Sequence, residues 1–311
     1  MKTEFKKRIL FVGIPDMAFV CLEACYQLGV NVVGVMGPKS SHNMYLPFKQ
    51  FVESKGLNFI KYNTLDSEEL INEIKSLDID LAVVCSFNYK IPEKLLEATK
   101  DGFINLHPSL LPAYRGANPY SNVIINNETI TGVTLHKMTK DFDKGDIILQ
   151  HTCNVSKNET MGTLFNKTND ICVQLLLATL KEYEERPLPS IPQKEGNYPK
   201  ANSIDEKNSF IDYNKTAEEI ERFVRALNPF ILASTLFRNN IIRVMKVEII
   251  NQFFPENIKN GTIVRIEDNK VLIKTKQNCI AITLMQYGSH FIGNEKDFID
   301  YINPQIGERF Y

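Results

Sequence analysis

Ile9-Leu-Phe-Val-Gly13-Ile-Pro-Asp16 is a short apolar run closed by a glycine and a turn, the pattern of a strand buried on both faces of a parallel sheet. The spacing predicts a helix next: Asp16 caps its first turn, Phe19, Leu22 and Tyr26 recur on one face, and Gly29 ends it. Outward from there the unit repeats. A strand is predicted at Val32 to Met36, a helix near Pro47 to Ser54, a strand at Asn58 to Lys61, a helix facing inward through Leu70, Ile74 and Leu77, and a buried strand at Leu81 to Cys85. Strand and helix alternate with short connections, which predicts an α/β fold: a doubly wound, mostly parallel, Rossmann-like sheet.

The second half of the chain changes character. A long helix is predicted over Thr160 to Glu184, and Arg186 to Lys200 follows with four prolines and almost no periodicity, so it reads as a linker. Beyond it Thr216-Ala-Glu-Glu219 matches a capping box, and Ile220, Phe223, Val224 and Leu227 form an apolar stripe. Alternating runs at Ile241 to Ile249, Thr262 to Ile266, Val271 to Lys274 and Ile280 to Leu284 predict a smaller C-terminal antiparallel barrel of OB-like plan. The expected domains are 1–185 (catalytic), 186–204 (linker) and 205–311 (β-rich).

Lys plus Arg (36) nearly cancels Asp plus Glu (37) over 311 residues, so no global field marks a nucleic-acid or anionic-membrane binder. The N-terminus carries no apolar signal core and no run is long enough to span a bilayer, so the expectation is a cytoplasmic protein without a membrane partner. Cys21, Cys25, Cys85, Cys153, Cys172 and Cys279 lie in apolar segments with no Cys-x-x-Cys pair, which predicts reduced, buried thiols and no metal.

In a doubly wound sheet ligands bind beyond the carboxyl ends of the strands, so the segments to search are 13–16, 86–91 and 105 onward. The first is neither a Gly-x-Gly-x-x-Gly loop nor a Walker loop, which argues against a nicotinamide or ATP site. The densest run of unusual residues is Phe103-Ile-Asn105-Leu-His107-Pro-Ser109-Leu-Leu-Pro-Ala-Tyr114-Arg115-Gly116. Period two puts Asn105 and His107 on the same face of one strand. An amide can donate to a developing oxyanion and an imidazole can move a proton near neutral pH, a pairing that suits acyl transfer to an amine; a purely structural pair is the other reading. Asp141, Asp143 and Asp146 could in principle gather a cation, but Lys144 and Gly145 interrupt them. His136 reads as a pocket wall and His151 as a sheet residue, while His42 and His290 receive no role.

Asn105-x-His107-x-Ser109-Leu-Leu-Pro-x-Tyr114-Arg115-Gly116 resembles the signature of the folate-dependent formyltransferases. Thr131-Gly-Val-Thr-Leu-His136 through Asp141-Phe-Asp143-Lys-Gly145 resembles that family's second motif, and the likeness extends to Gly13-Ile-Pro-Asp16, the linker and the C-terminal region. The resemblance implies that Asn105 and Asp143 stabilise the transition state and that His107 acts as acid or base. It implies 10-formyltetrahydrofolate as formyl donor, no metal, and a pterin pocket made by Tyr89, Lys90 and Ile91 with Thr139, Lys140, Asp141 and Phe142, Leu110 lining its apolar side. Tyr114 and Arg115 are then expected near the acceptor, Arg115 either on an acceptor phosphate or pinning its own loop through a carboxylate.

Three family branches fall away on architecture: one lacks the C-terminal region, one carries an extra leading domain and one is far longer. The methionyl-tRNA formyltransferases share the two-domain plan but carry a long basic loop after the second strand. Here that place is held by Gly37-Pro-Lys-Ser-Ser-His-Asn-Met-Tyr45, with one lysine, and a polyanion calls for a richer cationic footprint. The expected acceptor is therefore the amine of a nucleotide-linked amino sugar, a small molecule, with a homodimer as the one assembly considered. The alternatives are methionyl-tRNA and a non-enzymatic folate- or nucleotide-binding protein on the same scaffold.

Overall fold

A computed structural model of the chain describes residues 5–15, 17–288 and 291–311, with only the backbone of Phe291; Asp16, expected as a helix cap, and His290 lie outside the described residues. The chain falls into two compact units, residues 1–119, 130–154 and 166–201 in one, and 120–129, 155–165 and 202–311 in the other.

The first unit opens with β1 (Ile9–Gly13), α1 (Met17–Leu28), β2 (Val32–Met36), α2 (Tyr45–Ser54), β3 (Phe59–Ile60), α3 (Glu68–Ser76) and β4 (Leu81–Cys85), close to the alternation read from the sequence. The helix face is a different matter. α1 buries Ala18, Cys21, Leu22 and Cys25, whereas Tyr26, expected inward, is 42% exposed. Small side chains, Ala18, Cys21 and Cys25, lie on the buried face of the helix, and the bulkier Tyr26 is turned outward. Gly29 (φ 79°) does end the helix, and Val30 N–H closes back on Cys25 C=O at 3.0 Å.

The chain continues through α4 (Glu93–Leu96), β5 (Phe103–His107), β6 (Arg115–Gly116), α5 (Pro119–Ile125), β7 (Ile130–Lys137), β8 (Ile147–Asn154), α6 (Met161–Glu185) and β9 (Lys200–Ala201). The main sheet has the order β3-β2-β1-β4-β5-β7-β8. Its first five strands run parallel, and β7 and β8 join antiparallel, in register Asn105 opposite His136 and His107 opposite Thr134. The strand order reverses between β1 and β4, and Gly13 sits there: a Cβ on it would stand 2.7 Å from Cys85 C=O and 2.6 Å from the Ala18 methyl. Five of the six cysteines are buried; Cys153, on β8, is only half-buried, because this strand forms the sheet edge.

The segment after α6, expected as a bare linker, is strapped to the first unit. Ile191 and Ile147 exchange backbone hydrogen bonds of 2.8 Å, and β9 pairs in parallel with β6, Arg115 beside Lys200 and Gly116 beside Ala201.

The second unit contains α7 (Ala217–Leu227), β10 (Ala233–Phe237), β11 (Asn240–Ile250), β12 (Ile263–Glu267), β13 (Lys270–Lys274), β14 (Cys279–Tyr287), β15 (Phe291–Asn294) and α8 (Glu295–Ile302). Its sheet is antiparallel, in the order β10-β11-β14-β13-β12, with β15 on β14. The last residues bring the two outer strands together: Ile263 N–H donates to Glu308 C=O and Phe310 N–H to Gly261 C=O, both at 2.8 Å, while Leu236 and Tyr311 exchange bonds of 2.8 and 2.9 Å. Ile220, Val224 and Leu227 of α7, Phe298 of α8 and Phe310 fill its core with Phe237.

Candidate active site

Asn105 and His107 leave β5 two residues apart, as the strand alternation requires; His107 faces Asp143, in the turn after β7, and Asn105 reaches His136 on β7. Asp143 has φ 55°, the left-handed region that Asp tolerates better than most residues, and starts a turn completed by Gly145. At Gly145 a Cβ would lie 1.9 Å from Lys137 C=O, so only glycine lets the chain double back onto β7 here. The Asp143 carboxylate accepts from Gly116 N–H at 3.0 Å through Oδ2 and presents Oδ1 3.6 Å from His107 Nδ1 and 3.7 Å from His136 Nε2.

Backbone carbonyls assign the tautomers. His107 Nε2 is 2.9 Å from Tyr114 C=O, an acceptor, so Nε2 carries hydrogen and Nδ1 is the nitrogen free to gain or lose a proton toward Asp143. His136 Nδ1 is 2.7 Å from Lys137 C=O, so it is the protonated nitrogen there, and its bare Nε2 accepts from Asn105 Nδ2 at 3.2 Å. Burial, reinforced by His107, pulls the His136 pKa down to about 4 against the opposing pull of Lys137 C=O and Asp143. His136 is therefore a neutral acceptor at pH 7. It fixes which way the Asn105 amide faces, a closer part in the site than the pocket wall expected of it.

The loop between Asn105 and Gly116 is held from several sides. Thr134 Oγ1 donates to Ser109 C=O at 2.6 Å and accepts from Leu111 N–H at 3.1 Å and Gln150 Nε2 at 2.8 Å. Tyr114 (φ 60°) is 5% exposed and donates its N–H to Pro199 C=O at 2.6 Å. What Tyr114 offers the site is its carbonyl, on His107, rather than a side chain facing an acceptor. Arg115 does pin its loop, but through an amide rather than the expected carboxylate: Nε and NH2 lie 3.0 and 2.5 Å from Gln193 Oε1.

Beside Asp143 lies a cleft lined by Lys90, Ile91, His136, Met138 and residues 139–143. Six of the eight residues expected to hold a pterin (Lys90, Ile91, Thr139, Lys140, Asp141, Phe142) line it, and Phe142 is 60% exposed at its rim. Tyr89 and Leu110 are not among its lining residues. Tyr89 packs edge-on against Phe87 with Lys39 over its ring at 5.2 Å, and Leu110 packs onto Gly132 of β7, where the missing Cβ leaves room for it. The three aspartates diverge. Asp141 pairs with Lys144 at 3.6 Å, Asp146 accepts weakly from Ser190, and no metal-ligating cluster occurs among the described residues. Met138 and Gln193 were not assigned to the site from the sequence, and His136 was read only as a pocket wall. The cross-strand register that brings in His136 is absent from the sequence, and Gln193 lies in a segment without periodicity.

Residues 26–180 match the formyl transferase family and residues 203–300 the formyl transferase C-terminal domain. The methionyl-tRNA formyltransferase of Halothermothrix orenii is 32% identical over 289 residues, covering 89% of this chain and 92% of that protein. The methionyl-tRNA formyltransferase of Clostridioides difficile is 33% identical over 285 residues, covering 90% and 92%. Among solved structures, WlaRD, a sugar 3N-formyl transferase crystallised in the presence of dTDP and 5-N-formyl-THF, superposes with a TM-score of 0.66 at 20% identity, covering 92% of this chain and 99% of that one, a likeness of fold.

Proposed function

The chain belongs to the formyl transferase family, and from that premise we propose that it moves the formyl group of 10-formyltetrahydrofolate to the primary amine of a nucleotide-linked amino sugar. The composition of the cleft supports the donor site: apolar Ile91 and Met138 stand among polar Lys90, Thr139, Lys140 and Asp141, a mixture suited to a flat pterin edged with donors and acceptors. Bound there, the folate supplies an activated formyl carbon; the remaining work falls to the chain's own side chains.

The observation that carries the reading is the gap between three groups that do not bond to one another. Asp143 Oδ1 is an acceptor standing 3.6 Å from His107 Nδ1 and 3.7 Å from His136 Nε2, whose lone pair is already taken by Asn105 Nδ2. An amine entering this space meets the carboxylate as acceptor for its hydrogens. An alkylammonium has a pKa of about 10, so the amine must shed a proton to attack, and Asp143 takes it directly or through water. As the formyl carbonyl oxygen gains charge, the second Asn105 amide hydrogen and a protonated His107 Nδ1 supply donors, each worth roughly 3 kcal/mol in a preorganised site. His107 gives its Nδ1 proton to the departing folate nitrogen, and the second proton that the attacking nitrogen sheds on becoming an amide restores His107, so of the two protons lost by the ammonium one ends on tetrahydrofolate and the one held by Asp143 passes to solvent.

The loop after β2 supports a small acceptor. Its single lysine, Lys39, lies over the Tyr89 ring at 5.2 Å, and His42 Nδ1 is taken by Met44 N–H at 3.1 Å, so the loop offers little cationic surface to a polyanion. A second reading, methionyl-tRNA as acceptor, is favoured by the 32% and 33% identity to full-length proteins of that name. Turnover of 10-formyltetrahydrofolate against UDP- and dTDP-linked amino sugars and against methionyl-tRNA separates the two. Formylation of an amino sugar with none of methionyl-tRNA is expected; formylation of methionyl-tRNA alone overturns the acceptor and keeps the chemistry.

A further inference from the structure

Gln193 is the half-buried residue in an exposed stretch of the strap, and its side-chain amide is saturated. Nε2 donates to Asp143 C=O at 2.7 Å and to Gly145 C=O at 2.8 Å, while Oε1 accepts from Arg115 Nε and NH2. The partners leave no ambiguity about which end is which: carbonyls only accept and a guanidinium only donates. The strap is anchored on both sides of this residue, at Ile191 on Ile147 and at Lys200 and Ala201 on β6, so Gln193 is presented rigidly.

One amide thus ties together the two loops that define where the Asp143 carboxylate stands. On one side it holds the main chain of Asp143 itself, in its left-handed conformation, and of Gly145. On the other it holds Arg115, the residue before Gly116, whose N–H is the hydrogen-bond donor to Asp143 Oδ2. We propose that Gln193 is a positioning residue for proton transfer: by clamping the turn at 143–145 to the Arg115–Gly116 strand, it sets the distance and aim of Asp143 toward His107 and the incoming amine. It touches none of the reacting groups and acts through Asp143. This rests on the formyl-transfer reading only for its kinetic consequence; the placement of Asp143 is testable without any acceptor.

The informative variant is Gln193→Glu. It keeps two acceptors for Arg115 and strengthens that contact with charge, but has no donor for the carbonyls of Asp143 and Gly145, so it separates holding the strap from holding the turn. Gln193→Met, which removes both sets, serves as the uncharged control. In the full unliganded chain, amide exchange at Gly116 should accelerate by about tenfold or more in Gln193→Glu as its Asp143 acceptor drifts away. In formyl transfer, kcat should fall roughly tenfold to a hundredfold, with KM for 10-formyltetrahydrofolate within about twofold and the melting midpoint retained. In an Asp143→Asn background neither variant should lower kcat further, because the residue acts through that carboxylate. Wild-type Gly116 exchange and kcat in Gln193→Glu, or a kcat loss that adds in full to that of Asp143→Asn, overturns the proposal. If the wild-type chain formylates no acceptor, the formyl-transfer reading fails while Gly116 exchange still decides the positioning of Asp143.

Discussion

At His136 three influences hold the imidazole neutral, burial first, the neighbouring His107 second and the Arg115 charge last, against the Lys137 carbonyl and Asp143, which favour the charged form. The folded-state pKa of about 4 lies below the ordinary 6.5, so the folded chain resists a proton that the unfolded chain accepts. Stability tied to this group is therefore complete above pH 6.5 and is lost as the pH falls toward 4, about 2–3 kcal/mol of it between pH 7 and pH 4.5. Urea unfolding at those two pH values should show a smaller difference for His136→Gln than for the wild type. The same substitution disturbs the acceptor that orients Asn105 and should lower kcat by roughly tenfold, a modest share of what an oxyanion donor contributes. Asn105 and His107 were legible as a pair because strand alternation alone puts them on one face. Asp143 is a different case: it meets them through an antiparallel strand and a left-handed turn, and only the resemblance to known motifs singled it out. Leu110, expected beside the pterin, also fills the space left by Gly132, a cross-strand vacancy that spacing along one strand does not reveal.

Among the elements, the turn from Thr139 to Asp146 does most to shape the site. Gly145 lies so near Lys137 C=O that a methyl group cannot be accommodated without moving the turn. Gly145→Ala should displace Asp143 and reduce kcat by about a hundredfold in a steady-state assay, well beyond any loss of donor binding. In the second unit, Thr216 Oγ1 accepts from Glu219 N–H at 3.2 Å while Glu219 Oε2 accepts from Thr216 N–H at 2.9 Å, the reciprocal cap read from the sequence. Thr216→Ala should cost about 1 kcal/mol in urea unfolding with kcat unchanged. Elements with a strong period were legible to within a residue or two, as at Leu81–Cys85 and Ala217–Leu227. The strap at 191–201 was not. Its order comes from single contacts, the Ile191 bridge and the Gln193 amide, and those leave no periodic trace.

For the whole molecule, the alternation of strand and helix was enough to read a doubly wound sheet, and the later alternating runs were enough to read an antiparallel C-terminal sheet. The join between its outer strands was not legible, because residues 307–311 make it through backbone bonds from a segment without strand periodicity. The two units also carry opposite responses to acid. Burial raises Glu295, at the start of α8, to about 7 from the ordinary 4.5, so its contribution is complete below pH 4.5 and lost as the pH rises through 7, the reverse of His136. Glu295→Gln should raise the melting midpoint at pH 8 by about 2–4 °C and leave it unchanged at pH 4.5. The most direct test of the account's centre is single-turnover release of tetrahydrofolate from 10-formyltetrahydrofolate in the presence of the accepted amine, for the wild type and for Asn105→Ala, His107→Ala and Asp143→Ala. Each substitution should slow release by at least about a hundredfold while the melting midpoint and donor binding persist; release at the wild-type rate in any one of the three rules out formyl transfer through these side chains.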